Sequence, residues 1–465
     1  MTALDVVVMA AGKGTRMKSR LPKVLHRLAG RPLLGHVLEA ALALHPRQLV
    51  VVTGFGAEQV EKSTGKGPVG KTEIAFALQE PQLGTGHAVQ QAAPLLADDG
   101  MTLVLNGDVP LIEPETLRRL VQSCNGKCLA LLTVVLPDPQ GYGRIVREGD
   151  AVKRIVEHKD ASHEERAIRE IYTGVMAVPN AQLKAWLPKL SNANAQKEYY
   201  LTDLVELAVA DGVSVAAVQV DDALQVEGIN SPMQLAQLER KLQKRRAFAL
   251  MEQGVRLADP ARLDVRGTLN CGQDVEIDVN CVFEGTVTLG QGVRIGANCV
   301  IANCGIAAGA VIHPFTHIDG EKLGVQVGEG ALIGPFARLR PGAQLGAEVH
   351  IGNFVEVKNS TLAKGAKANH LAYLGDATVG ERVNYGAGSI TANYDGANKH
   401  RTVIEADVHI GSNCVLVAPV TIGAGGTVGG GSTITKSTPA GSLSVARGKQ
   451  VSLPNWTRPV KVVKG

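Results

Sequence analysis

A short basic loop near the start of the chain carries residue types that bind phosphate. Residues 9–23 read MAAGKGTRMKSRLPK and follow an apolar run. Gly12 and Gly14 let backbone N–H groups approach a phosphate, and Arg16 and Lys23 add cations where negative charge builds up. The loop has neither GxxxxGK[ST] nor the third glycine of a dinucleotide fingerprint. It therefore predicts a phosphate turn of another class, the alternative being an ordinary strand–helix turn with surface cations.

A carboxylate at a second predicted strand end suits a metal ion. The run LNGDVPL (105–111) places Asp108 just beyond the strand. One carboxylate suits Mg²⁺, which keeps several waters and is held by one or two protein groups plus phosphate. Asn230, in VEGIN, is a candidate second ligand that no local pattern selects. From this run alone, a helix N-cap is an equally good interpretation of Asp108.

The second half of the chain carries two cations and a histidine close together in sequence. Arg340 in FARLRPG and Lys358 in NFVEVKN lie three hexads apart, and His370 follows in ANHLAYLGD. If three hexads make one coil, both cations lie on one face, where they suit a sugar phosphate; a solvated basic edge is the alternative. Histidine has the pKa of a general base, although a single histidine is usually structural.

The segment 1–230 alternates short apolar runs with helical patterns, which predicts an α/β domain with a mostly parallel sheet. Ligands of such sheets lie beyond the carboxyl ends of the strands, where the basic loop and LNGD both fall. The predicted strands are Val6–Met9, Leu49–Val52, Glu73–Leu78, Thr102–Leu105, Leu129–Val135, Ile171–Val178 and Ser214–Val220. The predicted helices are Arg31–Leu44, Gly86–Ala97, Glu113–Val121, Asn180–Leu187 and Thr202–Ala210.

Beyond a charged segment of helical period at 231–252, interpreted as a solvated linker helix, the pattern changes to a period of six. Aliphatic residues recur at this period from Ile277 to Ile434, often followed by glycine. This is the hexapeptide signature of a parallel β-helix, in which three hexads close one coil and inward residues stack on those of the next coil. The polar run NYDGANKHRT (393–402) interrupts the repeat, and an interruption of this kind is usually functional.

Composition bounds the remaining possibilities. A chain of 465 residues predicts two or three domains. The net charge of +4 is small for this length, which argues against nucleic-acid binding by bulk charge. We expect no membrane span, because the sequence has no apolar run of sufficient length, and no secretory signal. The seven scattered cysteines form no CxxC pair, which predicts free thiols in a reducing cytosol and no zinc site. The low aromatic content, 3%, fits a narrow coil.

Together, AAGKGTR…LPK, LNGD, the hexads and NHLAYLGD resemble one family over residues 5 to about 460. It is the bacterial bifunctional N-acetylglucosamine-1-phosphate uridyltransferase/glucosamine-1-phosphate acetyltransferase family. The resemblance implies an α/β Rossmann-like nucleotidyltransferase domain (1–230), a linker helix (231–252) and a left-handed parallel β-helix of hexapeptide repeats with a C-terminal tail (253–465). It also implies a cytoplasmic homotrimer that makes UDP-N-acetylglucosamine for peptidoglycan and lipopolysaccharide synthesis.

For the uridyltransferase half, the resemblance implies a set of residues that bind UTP and the sugar phosphate. They are Met9, Ala10, Ala11, Gly12, Lys23, Gln79, Gly84, Thr85, Asn106, Gly107, Asp108, Gly143, Glu157, Tyr172 and Asn230. Arg16 and Lys23 act on the phosphates, and Asp108 with Asn230 would hold Mg²⁺. Two positions depart from the family: Tyr172 stands where the family has a sugar-contacting Asn, and Asn106 stands where Tyr is familiar.

For the acetyltransferase half, the resemblance makes His370 the base that accepts the proton of the sugar amine. Arg340, Lys358, Tyr373 and Asn384 fall at glucosamine-1-phosphate positions. Acetyl-CoA positions are Ala387, Asn393, Tyr394, Ser412, Gly430 and Arg447, with Gly430 in place of the family's Ala. Two other classes remain open at this point: a monofunctional nucleotidyltransferase with a structural or regulatory β-helix, and a non-catalytic binding scaffold.

Overall fold

The structure is a computed structural model that describes residues 2–65 and 67–461. The chain forms two compact units that divide between Lys241 and Leu242. Among the described residues, no helix is both long and apolar enough to cross a membrane. All seven cysteines are unpaired thiols, as predicted.

The first unit is built on a central sheet that contains each of the seven predicted strands. From one edge to the other these are Val215–Gln219, Leu129–Val135, Glu170–Pro179, Met101–Asn106, Leu4–Met9, Gln48–Thr53 and Glu73–Leu78. Neighbouring strands run parallel, except that Glu170–Pro179 is antiparallel to both of its neighbours. The predicted mostly parallel sheet is therefore confirmed, and its carboxyl ends carry the basic loop and Asp108.

Helices and short turns connect these strands. The α-helices are Leu33–Leu42, Ala57–Thr64, Thr85–Ala92, Pro114–Cys124, His163–Arg166, Asn180–Trp186 and Leu204–Ala210. Single 3-10 turns lie at Thr15–Met17, Lys23–Leu25, Ala93–Leu95, Leu187–Lys189, Leu201–Asp203 and Ala223–Val226, and a small ribbon pairs Arg27–Leu28 with Arg31–Pro32. The five helices predicted for this unit are all present, with shifted ends.

One hairpin in this unit was missed by the sequence patterns. Strands Arg144–Glu148 and Ala151–Val156 pair antiparallel around a turn at Gly149, whose φ is 59°. Charged residues fill the outward positions of this hairpin, so its apolar alternation is weak, although Ile145 and Ile155 are buried. The hairpin matters because Gly143 and Glu157 flank it.

The predicted helix at 231–252 is present as Pro232–Glu252, and the division between the two units falls within it. It is less solvated than predicted. Leu238 is fully buried in the first part, and Ala247 is fully buried in the second. In the second part, Gln243 also exchanges two hydrogen bonds with the backbone of Val265, at 2.8 and 2.9 Å. This helix is therefore part of the packing of each unit.

The second unit is a parallel β-helix of short strands, with a 3-10 turn at Pro260–Arg262 between its first two strands. The first face carries Arg256–Leu257, Glu276–Ile277, Arg294–Ile295, Val311–Ile312, Leu332–Ile333, His350–Asn353, Lys367–His370, Asn384–Tyr385, His409–Ile410, Thr427–Val428 and Leu443–Ser444. The second carries His317–Asp319, Arg338–Leu339, Glu356–Lys358, Tyr373–Gly375, Ile390–Ala392, Val415–Val417 and Thr433–Ile434. The third carries Val325–Val327, Gln344–Leu345, Thr361–Leu362, Ala377–Val379, Thr402–Ile404 and Val420–Ile422. Three longer strands, Leu263–Cys271, Cys281–Leu289 and Val300–Ile306, begin the second and third faces.

The hexad residues point inward, as predicted, and are buried from Ile277 to Ile434. The predicted coil of three hexads holds for Leu339, which pairs with Val357. It is wrong for the next coil, where Val357 pairs with Leu374 and the coil is one residue shorter. At the interruption the coil is longer than three hexads, because Val379 pairs with Ile404. There the polar run forms a hairpin closed by a bridge between Tyr394 and Lys399.

Candidate active sites

A cavity of about 490 Å³ opens at the carboxyl ends of the first unit's strands. It brings together the basic loop, two other loops and the end of strand Met101–Asn106, although these segments are far apart in sequence. Ten of the predicted uridyltransferase residues line it: Met9, Ala10, Ala11, Gly12, Lys23, Gln79, Gly84, Thr85, Asn106 and Asp108.

A second cavity of about 330 Å³ adjoins the first and shares Met9, Thr85, Asn106 and Asp108 with it. It holds most of the remaining predicted residues of this half, namely Arg16, Gly143, Glu157, Tyr172 and Asn230. Gly107 lines neither cavity; its N–H donates to Met9 O at 2.9 Å and ties the two strand ends together. Apart from Gly107, the predicted residues of this half thus line two adjoining cavities.

The predicted metal ligands converge on one position. Lys23 Nζ donates to a carboxylate oxygen of Asp108 and, at 3.1 Å, to Oδ1 of Asn230. Both predicted ligands thus direct an oxygen at the same cationic group. Carboxylate and amide oxygens are ligands that Mg²⁺ accepts, with water and substrate phosphate completing its shell. These residues therefore fit Mg²⁺. Residues 2–65 and 67–461 hold no group of three or more His, Cys, Asp or Glu side chains suited to a metal.

The two glycines of the basic loop have different physical roles. Gly14 has φ of 57°, and a Cβ there would lie 2.7 Å from Cβ of Lys23, so a side chain would push Lys23 away. At Gly12 no atom lies within 4 Å of an added Cβ, so Gly12 leaves open space in the cavity wall. Gly14 therefore shapes the loop, whereas Gly12 leaves room for a ligand.

The orientation of the Gln79 amide is fixed by its neighbours. Its Nε2 donates to Gly84 O at 2.9 Å and lies 3.2 Å from Nδ1 of His87. Gly84 has φ of 108°, and an added Cβ would lie 2.6 Å from Tyr199 O, so only glycine fits there. Because Nε2 is engaged, Oε1 of Gln79 is left to accept a hydrogen bond from a ligand in the cavity.

The wall of the second cavity carries two polar groups that burial perturbs. Glu157 Oε1 accepts a hydrogen bond from the Thr202 hydroxyl at 3.2 Å, and burial raises the pKa of this carboxyl. Tyr172 is 8% exposed, and burial raises its pKa well above the ordinary value, with the Glu157 charge adding to the effect. The Tyr172 hydroxyl has no hydrogen-bond partner in the part of the chain that the structure describes. It is therefore a donor without an acceptor in the cavity wall.

Asn106 and Tyr172, the two residues that differ from the family, lie in the wall of the same cavity. Asn106 ends its strand against Gly174, two residues beyond Tyr172, and an added Cβ on Gly174 would lie 1.9 Å from Nδ2 of Asn106. Both Asn106 and Tyr172 line the second cavity. The amide and the phenol thus face the same ligand space.

In the β-helix, the predicted base and most acetyl-CoA positions stack along the corner between the first and second faces. His370, Ala387 and Ser412 lie just before this corner in successive coils, and backbone bonds link the coils: Gly388 N to His370 O, Asn413 N to Ala387 O, and Gly431 N to Ser412 O, at 3.3, 2.7 and 2.8 Å. Arg447 reaches the same column, because its guanidinium donates to Gly430 O at 2.7 Å. A Cβ on Gly430 would make only ordinary contact, 3.4 Å from Ser412 O, so the departure from Ala is tolerated.

The predicted cations lie at the far edge of the second face. Arg340 and Lys358 follow Leu339 and Val357, which pair in register, so the cations occupy adjacent coils as the spacing predicted. Arg340 also donates to Glu356 Oε1 at 2.8 Å. The pKa of Lys358 is lowered, mainly by partial burial and also by the ammonium of Lys399 and the charge of Arg340. Three cations therefore meet here.

Lys399 was missed by the sequence patterns. It is the sole lysine of the NYDGANKHRT run, which was a usable signal, but its distance from Lys358 depends on how the hairpin folds back. The same hairpin holds Asn393, which donates to Asp376, and Tyr394, which donates to Gly396 O at 2.6 Å. Tyr373 lies on the second face and the exposed Asn384 on the first.

Comparison with known proteins agrees with this geometry. Residues 6–177 match the MobA-like NTP transferase domain family, and residues 324–359 and 401–436 match the bacterial transferase hexapeptide (six repeats) family. The chain is 74% identical to the bifunctional protein GlmU of a Polaromonas species, over 100% of both chains. It is 74% identical to GlmU of Polaromonas naphthalenivorans over 98% of each, and 72% identical to GlmU of an Acidovorax species over 100% of each. The chain belongs to the bifunctional GlmU family.

Membership in the GlmU family confirms the resemblance and the two-part fold class derived from the sequence. The chain is a bifunctional enzyme with a uridyltransferase and an acetyltransferase activity. The interpretations as a monofunctional nucleotidyltransferase or as a non-catalytic scaffold are therefore not supported.

Proposed function

We propose that the paired cavities of the first unit catalyse uridylyl transfer. A phosphate oxygen of N-acetylglucosamine-1-phosphate attacks the α-phosphorus of UTP, a new P–O bond forms, and pyrophosphate leaves. No protein nucleophile is needed, so the work is positioning and charge neutralisation. The observation that carries the proposal is the convergence of Lys23, Asp108 and Asn230 where the two cavities meet.

In this proposal, side chains of the two cavities neutralise the negative charges of the phosphates during transfer. Arg16 and Lys23 donate to phosphate oxygens, and Asp108 with Asn230 would hold Mg²⁺. Bound there, Mg²⁺ supplies charge neutralisation on the phosphates. Oε1 of Gln79 accepts from the imide N–H of uracil, a donor that cytosine lacks at the corresponding position. Glu157 and Tyr172 face the sugar in the second cavity.

We further propose that the β-helix corner acetylates glucosamine-1-phosphate. His370 accepts a proton as the sugar amine attacks the thioester carbon of acetyl-CoA; the C–N bond forms, the C–S bond breaks, and the thiolate leaves. Arg340 and Lys358, joined by Lys399, bind the phosphate, and Tyr373 contacts the sugar. The CoA lies along the column of Ala387, Ser412 and Gly430, near Asn393 and Tyr394, with Arg447 at its phosphates.

Two observations support the proposal that this second site is shared between copies in a homotrimer. Asn384 is on the first face whereas Tyr373 is on the second, and outward side chains on adjacent faces of a triangular coil diverge by about 120°. We infer that these two residues reach one sugar phosphate from different copies. In addition, an exposed apolar stripe runs along the corner beside His370: Phe315, Phe336, Phe354 and Leu371, at 51, 47, 56 and 63% exposed. Its three phenyl rings stack at 5.0 and 5.4 Å.

The proposal also assigns each reaction to a segment of the chain and places the enzyme in the cytoplasm. Residues 1–230 carry uridylyl transfer, 253–465 carry acetyl transfer, and 231–252 connect them in a cytoplasmic enzyme. The cell-wall precursor UDP-N-acetylglucosamine is then made in two consecutive steps, the β-helix acting first.

Two single substitutions in the full-length chain test this division of labour. Asp108→Ala should abolish Mg²⁺-dependent uridylyl transfer and leave acetyl transfer intact, with the exposed Asp150→Asn as the matched control. His370→Ala should lower acetyl transfer by about 10²–10⁴-fold and leave uridylyl transfer intact. Separate assays of pyrophosphate release and of CoA release measure the two steps. Near wild-type uridylyl transfer in Asp108→Ala, or acetyl transfer in His370→Ala, would overturn the corresponding assignment.

A further inference from the structure

The ring of His370 is held by one side chain from the preceding coil. Its Nδ1 lies 2.9 Å from Oδ1 of Asn353. In the part of the chain that the structure describes, this is the only hydrogen bond of the His370 ring, and no ion pair to it is present. The ring is otherwise exposed, so Asn353 is the group that determines how it is held.

The coil geometry fixes this contact. Asn353 and His370 are register partners at the ends of adjacent first-face strands, and Leu371 N donates to Asn353 O at 3.0 Å. The coils are closely packed here, because an added Cβ on Gly352 would lie 2.0 Å from Asn369 O. Both coils then turn through a left-handed residue, Phe354 and Leu371. The two side chains therefore leave the backbone at matched positions and cannot easily separate.

The chemistry of this pair determines which ring nitrogen is basic. An amide oxygen only accepts hydrogen bonds, so Nδ1 must carry the proton. A neutral imidazole has one N–H, which leaves the lone pair on Nε2. Nδ1 could not serve as the base while it donates to Asn353.

We propose that Asn353 is a positioning residue of the acetyl-transfer reaction, which fixes the Nδ1–H tautomer of His370 and presents Nε2 to the sugar amine. Asn353 itself does not touch the reacting atoms. The inference rests on the proposed role of His370 as the base. It adds the residue that prepares this base before substrate binds.

The neutral amide is also suited to a base that must be unprotonated to act. A carboxylate in this position would stabilise the imidazolium, which cannot accept a proton. The amide orients the ring without adding charge. Replacement of Asn353 by aspartate therefore separates orientation from charge, since both groups accept from Nδ1.

The test compares Asn353→Ala and Asn353→Asp in the full-length enzyme, with Asn270→Ala as the control, because Asn270 is an exposed β-helix asparagine. We expect Asn353→Ala to lower kcat of acetyl transfer about tenfold or more, with KM for both substrates nearly unchanged, as part of the general-base contribution is lost. Asn353→Asp should recover most of kcat at alkaline pH but move the acid limb of the pH profile to higher pH. Uridylyl transfer and thermal unfolding report that each variant is folded.

A second readout follows the tautomer directly. Nitrogen chemical shifts of ¹⁵N-labelled histidine, with the His370 signal assigned by comparison with His370→Ala, should show Nδ1–H and bare Nε2 at alkaline pH in the wild type. In Asn353→Ala this preference should be lost. A wild-type signal with the proton on Nε2, or wild-type kcat and pH profile in Asn353→Ala, would overturn the inference while leaving His370 as the base. Full acetyl transfer in His370→Ala would instead overturn the proposed function on which it rests.

Discussion

The two candidate sites are built in opposite ways. In the first unit, groups as distant in sequence as Lys23, Asp108 and Asn230 meet where two cavities join within one chain. In the β-helix, His370 and the cations lie on exposed edges at intervals set by the coil. The cavities of the first unit are thus lined by one chain, whereas the β-helix offers flat faces and corners. We infer that the second site needs another copy and the first does not.

A double substitution in the apolar stripe tests whether only the second site depends on another copy. Phe336→Asp combined with Phe354→Asp places charges on the stacked rings, which should prevent association of the copies because each charge would have to be desolvated. We expect acetyl transfer to fall more than about 100-fold, while uridylyl transfer stays within about twofold. Sedimentation and the two assays measure this. Phe248→Asp, on the helix Pro232–Glu252, is the control. Acetyl transfer that persists in a monomeric variant would contradict a shared site.

A smaller effect on activity is expected when the unpaired hydroxyl of Tyr172 is removed. Tyr172→Phe removes only the hydroxyl, which has no protein partner in the described structure. If that hydroxyl donates to the sugar, kcat/KM for N-acetylglucosamine-1-phosphate should fall about 2–10-fold, the usual range for a neutral hydrogen bond. Thermal stability should not fall and acetyl transfer should not change. Unaltered uridylyl-transfer kinetics would show that the phenol does not contact the substrate.

The smallest expected effect concerns stability and pH. The pKa of Asp203 is raised from 3.8 to about 6, first by burial and then by the charges of Glu206, Glu157 and Asp160. The folded state therefore binds this proton more tightly than the unfolded state. Stability should fall as pH rises from about 4 to about 6, and the loss persists above that window.

Asp203→Asn should remove this penalty and, with solvent screening of the half-buried carboxyl taken into account, stabilise the first unit by about 1–2 kcal/mol at pH 7.5, with little gain at pH 4. Thermal unfolding at the two pH values measures the difference, and Asp150→Asn is again the control. An equal gain at both pH values would point to a cause other than the ionisation of Asp203.

Sequence reasoning succeeded where a local pattern sets the structure. The hexads predicted which residues face inward from Ile277 to Ile434, because a period of six has one structural solution. The basic loop and the LNGD run were predicted to lie at the carboxyl ends of strands, and the structure places them there. The family resemblance supplied nearly all the candidate site residues, and the structure brings those of the first unit, except Gly107, into two adjoining cavities.

What the sequence could not provide depends on contacts between distant segments. Lys399 reaches Lys358 only because the 393–402 hairpin folds back over the coil. Asn353 meets His370 because that coil is one residue shorter than three hexads, a change that the hexad pattern does not reveal. The unsatisfied hydroxyl of Tyr172 likewise depends on the packing of the cavity wall.

The central claim is that the first site is complete in one chain and the second is shared, and subunit mixing tests it most directly. One inactive chain carries Arg340→Ala with Lys358→Ala, and the other carries Asn384→Asp, which sets a carboxylate against the anionic sugar phosphate. Co-refolded in equal amounts, they should regain about one quarter of wild-type acetyl transfer, because a quarter of the interfaces in a mixed trimer combine two intact halves. Mixing Arg16→Ala with Asp108→Ala chains should regain no uridylyl transfer. Failure of the first mixture to regain activity, or recovery in the second, would contradict the account.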